Sequence, residues 1–297
     1  MKQLVIKSPA KLNLYLRVSK KRLNGYHEIR TLFERINLCD EIRLRLNNSS
    51  KINVQCNYPG VPYNRDNLAF RAAELLKKDF SVSSGVDITI KKHIPVGSGL
   101  GGGSSNAAST LIGLNRLWRL GLRKGELLRY AKKIGSDVPF FILNYSFALG
   151  RGRGDTLKPI DGIKKKLWHI LVVPDIEIST QEIYRKWDKY RAYLKKIKRL
   201  PVRLNDEINV LVKAIKNIDT KILGEKFSND LEYLTARTTN RIGQIKKSIK
   251  RAGVKVISMS GSGPAIFGIL TSRKEAYAVK ERLSIQNGWQ VFVVKTY

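Results

Sequence analysis

The chain has 297 residues, enough to bury a sizeable core and, on length alone, to divide into two domains. Its 42% hydrophobic and 27% charged residues suit a soluble globular protein; Lys7, Lys11, Arg17 and Asn144 interrupt the apolar runs that could span a membrane or form a secretory signal. The 56 Lys and Arg against 24 Asp and Glu give a net charge of +32, spread over small clusters at Lys20–Arg22, Lys91–Lys92, Lys164–Lys166, Lys195–Arg199 and Lys246–Arg251.

Such a field attracts polyanions, anionic membranes and phosphorylated metabolites alike. No nucleic-acid-binding module accompanies the clusters, so neither a dedicated nucleic-acid partner nor a membrane partner is expected. Cys39 and Cys56 lack metal or redox spacing, which makes a reducing cytoplasm the expected compartment.

Alternating apolar residues at Leu12, Leu14, Leu16 and Val18 predict a half-buried strand, Ile42, Leu44 and Leu46 a second, and Ile52 with Val54 a third. Between the first two, Asn24-Gly25 has turn chemistry and leads into Tyr26 and His27. Asp66 is placed to cap a helix whose apolar face is Leu68, Ala69, Ala72, Ala73, Leu75 and Leu76. Val86, Ile88 and Ile90 alternate into a glycine-rich stretch.

That stretch, Pro95-Val96-Gly97-Ser98-Gly99-Leu100-Gly101-Gly102-Gly103-Ser104-Ser105-Asn106-Ala107-Ala108, runs from a strand into an apolar helix. Glycine admits positive φ and close approach, and the first N–H groups of a helix lack intrahelical partners. With the dipole's positive end they form a phosphate cradle. No Gly-Lys-Ser/Thr closes the stretch and no Gly-x-Gly-x-x-Gly opens a first βαβ unit, so Walker and Rossmann readings are disfavoured. A flexible linker is the bland alternative, and the helix pattern that follows at Leu111, Leu114 and Leu117 argues against it.

Leu127 to Ala131 predict a helix ending near Gly135, followed by Ser136-Asp137-Val138-Pro139-Phe140-Phe141. An acid at the head of an apolar run is either a turn residue or a buried group with a cationic or hydrogen-bonding partner. Residues Gly150 to Asp155 read as a loop, the lysines near Lys164 as a domain boundary, and Leu167–Val173 as a strand. Ser179 caps a long helix whose stripe of Ile183, Trp187, Tyr190, Leu194 and Ile197 is read as core. Helices over 208–215 and 231–249, a strand over 254–259, a glycine-serine turn at Ser260-Gly261-Ser262-Gly263, a strand over 265–270, a helix over 275–283 and a strand over 291–294 complete an α+β pattern without a regular βα repeat.

A phosphate cradle with an acid and a lysine elsewhere is the equipment for moving a phosphoryl group. The candidate acid is Asp137 and the candidate lysine is Lys11, in Ser8-Pro9-Ala10-Lys11-Leu12-Asn13. Most lysines so placed are simply exposed, and Tyr26 and His27 could be ordinary turn-flanking residues.

Taken in order, Ser8 to Leu14, Gly99 to Ala108 and Met259-Ser260-Gly261-Ser262-Gly263-Pro264 resemble the three motifs of the GHMP kinase superfamily. Gly25-Tyr26-His27-Glu28, the segment Gly135 to Phe141 and Gly150-Arg151-Gly152 resemble the branch acting on 4-diphosphocytidyl-2-C-methyl-D-erythritol. The resemblance covers nearly the full length. It implies a two-domain α+β fold: an N-terminal ATP-binding domain over 1–163, like the second domain of ribosomal protein S5, and a ferredoxin-like domain over 164–297. The site would lie between them.

The implied reaction carries the γ-phosphoryl of ATP, with Mg²⁺, to the 2-hydroxyl of that small-molecule substrate, in the non-mevalonate route to isoprenoids. By the resemblance Asp137 is the base and Lys11 its partner. Pro95, Gly97, Gly99, Leu100, Gly101, Gly102, Gly103, Ser104, Ser105 and Asn106 hold the nucleotide. Asn13, Tyr26, His27, Phe33, Thr180 and Tyr184 hold the substrate, with Tyr184 stacking on cytosine. Leu12 and Ser136 depart from the commoner isoleucine and alanine. The Mg²⁺ ligands stay open: the hydroxyl of Ser104 or Ser105 is a candidate, and the sequence shows no acidic metal motif. A monomer or homodimer is expected. The alternatives are another GHMP small-molecule kinase and a non-catalytic basic protein that binds nucleic acid.

Overall fold

The computed structural model describes residues 2–197, 205–283 and 288–297. Lys198 and Arg199, the end of one basic cluster, lie outside the described residues. Two long strands, β1 (Gln3–Lys21) and β2 (His27–Asn47), form an antiparallel ladder from Gln3–Arg45 to Lys21–His27. On the other edge of β2, residues Glu41–Asn47 pair with β4 (Gly85–Lys91) and Thr31–Glu34 with β5 (Phe147–Arg151). Outside these lie β3 (Ile52–Cys56), parallel to β4, and β6 (Thr156–Pro159), antiparallel to β5.

Helices α1 (Leu68–Asp79), α2 (Gly102–Leu117), α3 (Lys124–Ile134) and α4 (Val138–Leu143) pack with this sheet around Ile42, Leu44, Ile88, Leu111, Leu114 and Phe140. Gly113 lets α2 press close: a Cβ there would stand 2.3 Å from Leu44 Cδ1 and 2.9 Å from Ile6 Cδ1.

The second sheet, β7 (Trp168–Pro174), β8 (Val256–Met259), β9 (Ile266–Leu270) and β10 (Trp289–Lys295), has the order β10-β7-β9-β8 and is antiparallel throughout. This is the ferredoxin-like order. Between β7 and β8 run α5 (Thr180–Lys196), α6 (Asn205–Asn217), α7 (Thr220–Lys226), α8 (Glu232–Thr238) and α9 (Arg241–Arg251), while α10 (Arg273–Leu283) joins β9 to β10. No helix among the described residues is long and apolar enough to cross a membrane.

Several sequence expectations are corrected. The α1 cap is Asn67, not Asp66: its side chain accepts from Ala69 N at 2.9 Å and donates to Pro62 O at 2.8 Å. An amide serves both needs, whereas a carboxylate only accepts. Residues 231–249 form two helices, because the Thr235 and Thr238 hydroxyls bond back to Leu231 O and Leu234 O, and Thr239 is extended. Helix α7 escaped notice, and Gly150 and Arg151 belong to β5 rather than to a loop. The α5 stripe is buried at Ile183 and Trp187 and packs half-buried on the same core at Tyr190, whereas Ile197 is 38% exposed.

The half-buried strand predicted over Leu12–Val18 is buried on both faces from Ala10 to Leu16. The reason is the second sheet, whose Leu171 and Phe267 pack against Ala10, Leu12, Leu14 and Tyr15. Backbone bonds fasten the contact: Leu16 N to Ser228 O at 2.9 Å, Asp230 N to Leu16 O at 3.0 Å and Ala265 N to Ser98 O at 3.1 Å. At its far end Glu34 is fully buried, accepting from Thr296 Oγ1 at 2.6 Å with His169 Nε2 at 2.9 Å.

Asn67→Ala should lower the unfolding free energy by about 1 kcal/mol while Asp66→Ala stays within about 0.5 kcal/mol of wild type. Equal losses in thermal or urea unfolding would contradict the cap assignment. Gly99→Ala tests the junction between the sheets, since its Cβ would stand 2.3 Å from Ser260 O. This variant should melt at lower temperature, and wild-type melting would count against close packing there.

Candidate active site

The glycine stretch turns on three residues with positive φ, Gly97 at 67°, Gly99 at 80° and Gly101 at 71°, a conformation costly for a residue with Cβ. Gly101 is the residue before α2, so the turn delivers the unpaired N–H groups of the first helical turn to one place. Lys11 N donates to Leu100 O at 2.9 Å and Ser98 Oγ donates to Pro95 O at 2.6 Å. A segment tied at both ends is no flexible linker.

Residues from Pro95 to Ser104, with Asn106, line a cavity of about 510 Å³ whose opposite wall includes Val61, Pro62 and Asn67. The two serines part company here. Ser104 faces the cavity, whereas Ser105 is fully buried and accepts a hydrogen bond from Ser8 Oγ at 2.8 Å. Ser105, expected beside Ser104 as a nucleotide or metal contact, is thus not on the wall of this cavity. Asn106 reaches the cavity wall with its amide already committed, to Ser8 Oγ at 3.0 Å and Asp40 Oδ2 at 2.9 Å.

A second cavity of about 710 Å³ shares Gly99, Gly101 and Thr180 with the first. Its wall carries Lys11, Asn13, Tyr26, His27, Asp137 and Tyr184. Lys11 Nζ stands 3.4 Å from Asp137 Oδ2 and donates to Asn13 Oδ1 at 2.5 Å. Asn13 is held in turn, its amide donating to Thr31 Oγ1 at 2.7 Å and its backbone N–H to Ser260 Oγ at 3.2 Å.

The Lys11 side chain is 5% exposed and that of Asp137 is 28%, so the pair meets at the buried end of an open cleft. Asp137 immediately precedes α4 yet makes no capping bond, which leaves its carboxylate for the cleft. Phe33 is 1% exposed, packs on Phe140 with centroids 5.0 Å apart and lies 5.7 Å below the Lys11 ammonium. It is a floor for the lysine.

The outer end of the cleft is aromatic. His27 and Tyr184 rings lie 4.9 Å apart at 34°, and His27 Nε2 is 2.6 Å from Asp188 Oδ1. Burial first, and the negative charge of Asp137 second, push the Tyr184 hydroxyl well above the usual phenol range. Tyr26 is 51% exposed with the Arg153 guanidinium 5.0 Å from its ring centroid. Thr180 Oγ1 lies 2.7 Å from Ser262 Oγ of the late glycine-serine turn.

Sequence reasoning missed Asp188, Arg153, Asp40 and Lys92. A signal existed for Asp188, which follows Tyr184 by four residues and shares its helix face. Lys92 is one of a small basic cluster in the sequence, and only the fold shows it buried beside the loop. Among the described residues no cluster of three or more His, Cys, Asp or Glu could hold a metal ion.

The sequence model of the GHMP kinases N terminal domain matches residues 67–145 and that of the GHMP kinases C terminal matches residues 211–288. The 4-diphosphocytidyl-2-C-methyl-D-erythritol kinase of Alkaliphilus metalliredigens is 40% identical over 286 residues, covering 96% of this chain and 94% of the relative. That of Geobacter metallireducens is 38% identical over 297 residues, 99% of both chains. A crystal structure of 4-(cytidine 5'-diphospho)-2C-methyl-D-erythritol kinase superposes with a TM-score of 0.78 at 31% identity, over 98% of this chain and 99% of that one. Homoserine kinase from Cytophaga hutchinsonii, at 20% identity and a TM-score of 0.69 over 99% of this chain and 95% of its own, shares the fold. With two motif-bearing domains meeting at one cleft and full-length relatives at this identity, the chain belongs to the GHMP kinases, in the family of 4-diphosphocytidyl-2-C-methyl-D-erythritol kinases.

Proposed function

We propose that this chain, like the relatives named 4-diphosphocytidyl-2-C-methyl-D-erythritol kinase, phosphorylates that compound, and that it carries the γ-phosphoryl of ATP to the 2-hydroxyl, in the methylerythritol phosphate route to isoprenoid precursors. The observation that carries the reading is the Lys11–Asp137 pair, 3.4 Å apart beside the glycines shared by two adjoining cavities. The nucleotide takes the glycine-loop cavity, with its phosphates on the N–H groups of the first turn of α2. The acceptor takes the other cavity, its cytosine beside Tyr184, Tyr26 and His27.

In a loose transition state the protein chiefly aligns groups and balances charge. The acceptor oxygen forms its bond to the γ-phosphorus as the bond to the bridging oxygen breaks and ADP leaves. A carboxylate is a far weaker base than an alkoxide, so Asp137 receives the hydroxyl proton as the new bond forms. Lys11, 3.4 Å from Asp137, favours the negative charge developing on the acceptor oxygen. Asn13 keeps that ammonium pointed into the cleft.

Mg²⁺ fits as an ion carried in on the nucleotide, because such ions take few protein ligands and Ser104 offers one hydroxyl toward the cavity. Bound there, it would neutralise phosphate charge. At the acceptor end, an aromatic face and an imidazole can distinguish a pyrimidine by its edge.

Asp137→Asn should lower kcat by about 10²- to 10⁴-fold, with acceptor affinity near wild type by calorimetry. Unchanged turnover would remove Asp137 from the role of base. Tyr184→Ala should raise KM for the acceptor roughly 5- to 150-fold, since stacking on a base is worth about 1–3 kcal/mol. The uridine analogue should bind more weakly than the cytidine substrate; equal binding would show that the base edge is not read.

A further inference from the structure

An acid with no place in the transfer step stands behind the glycine loop. Asp40 lies in β2 opposite Ser8 of β1 and is 1% exposed. Its Oδ1 accepts from the backbone N–H groups of His93 and Ile94, both at 2.8 Å, the residues that lead into Pro95. Its Oδ2 accepts from the Asn106 amide at 2.9 Å and from the Lys92 ammonium. One carboxylate thus ties together the backbone before the loop, the helix after it and a cation beside it.

The cation makes the arrangement unusual. Lys92 lines the glycine-loop cavity with a side chain only 6% exposed, and a Cβ on Gly102 would stand 3.0 Å from its Nζ. A lysine against the first turn of a helix opposes the positive end of the helix dipole. A buried ammonium also needs a partner, without which it turns outward or gives up its proton. Asp40 is the counter-ion in contact with it, and allows a positive side chain and a positive helix end to border the same cavity. That pairing of charges suits a polyphosphate.

We propose that Asp40 is a positioning residue for the phosphoryl donor, holding Lys92 and both ends of the glycine loop in the arrangement that accepts the nucleotide's phosphates without touching them. The inference rests on the reading of this cavity as the ATP site.

Asp40→Asn separates the two jobs of the carboxylate. Its amide oxygen can still accept from His93 and Ile94, while its NH2 faces the donors of Asn106 and Lys92. Affinity for ADP, and KM for ATP, should weaken about ten- to a hundredfold, the scale of a lost hydrogen bond to a charged group. Affinity for 4-diphosphocytidyl-2-C-methyl-D-erythritol should stay near wild type.

Should Asp40→Asn fail to fold, Lys92→Met is compared with the Asp40→Asn/Lys92→Met double variant, which removes both buried charges. The double variant should bind ADP only a few-fold more weakly than Lys92→Met alone, because most of the Asp40 effect runs through Lys92 and the rest through Asn106. Parallel loss of ADP and acceptor affinity, unchanged ADP affinity despite a lower melting temperature, or a double variant that binds ADP ten- to a hundredfold more weakly than Lys92→Met would overturn the proposal. Wild-type protein that binds no ADP would overturn it together with the ATP reading, and needs no variant to be seen.

Discussion

The cleft depends on one hydroxyl. Ser260 Oγ, at the tip of the late glycine-serine turn, accepts from Asn13 N at 3.2 Å and donates to Gly99 O at 3.1 Å. It bridges the strand that carries Lys11, the loop that borders both cavities and the second sheet. Gly261 continues the approach, since a Cβ there would stand 3.3 Å from Asn13 Oδ1 and 3.6 Å from Lys11 Nζ. Three stretches far apart in the chain are held within a few ångströms because backbone groups and small side chains meet there.

Around that junction the polar groups are arranged in depth. Lys11 leans on Asn13, Asn13 on Thr31, and Thr31 Oγ1 donates to Tyr15 O at 2.8 Å. Behind the loop, Ser8, Ser105, Asn106 and Asp40 form a second buried chain. Each member is satisfied by the next, the condition under which buried polar groups rigidify a site instead of destabilising it. The net charge of +32 is consistent with an enzyme of phosphorylated ligands, though the groups that matter are these few buried ones.

Much of this was legible in the chain because it is local. Positive-φ glycines ahead of a helix, an acid at the head of Val138-Pro139-Phe140-Phe141 and alternation in the strands each carry their own physical signature. Burial of β1 on both faces was not legible, because it depends on a sheet formed some 150 residues later. The same holds for Ser105, which cannot be told from Ser104 until the register of β1 places Ser8 behind it. Asp66 and Asn67 were confused because both residue types cap helices; the deciding partner, Pro62 O, lies in an irregular loop. The exposed end of α5 misled for another reason: helical spacing shows which face is apolar, not how far the neighbouring element extends along it.

Gly113 gives the fold a long-range property. It sits eleven residues along α2 from Gly102, far from either cavity, where its missing side chain lets the helix settle onto Leu44 and Ile6. A helix moves as a rod, so the seating depth at one end sets the height of the amides at the other. A methyl group introduced at that distant contact would tilt the rod and lift the cradle away from its lysine. The placement of the loop's amides thus rests partly on an apolar contact at the far end of the helix.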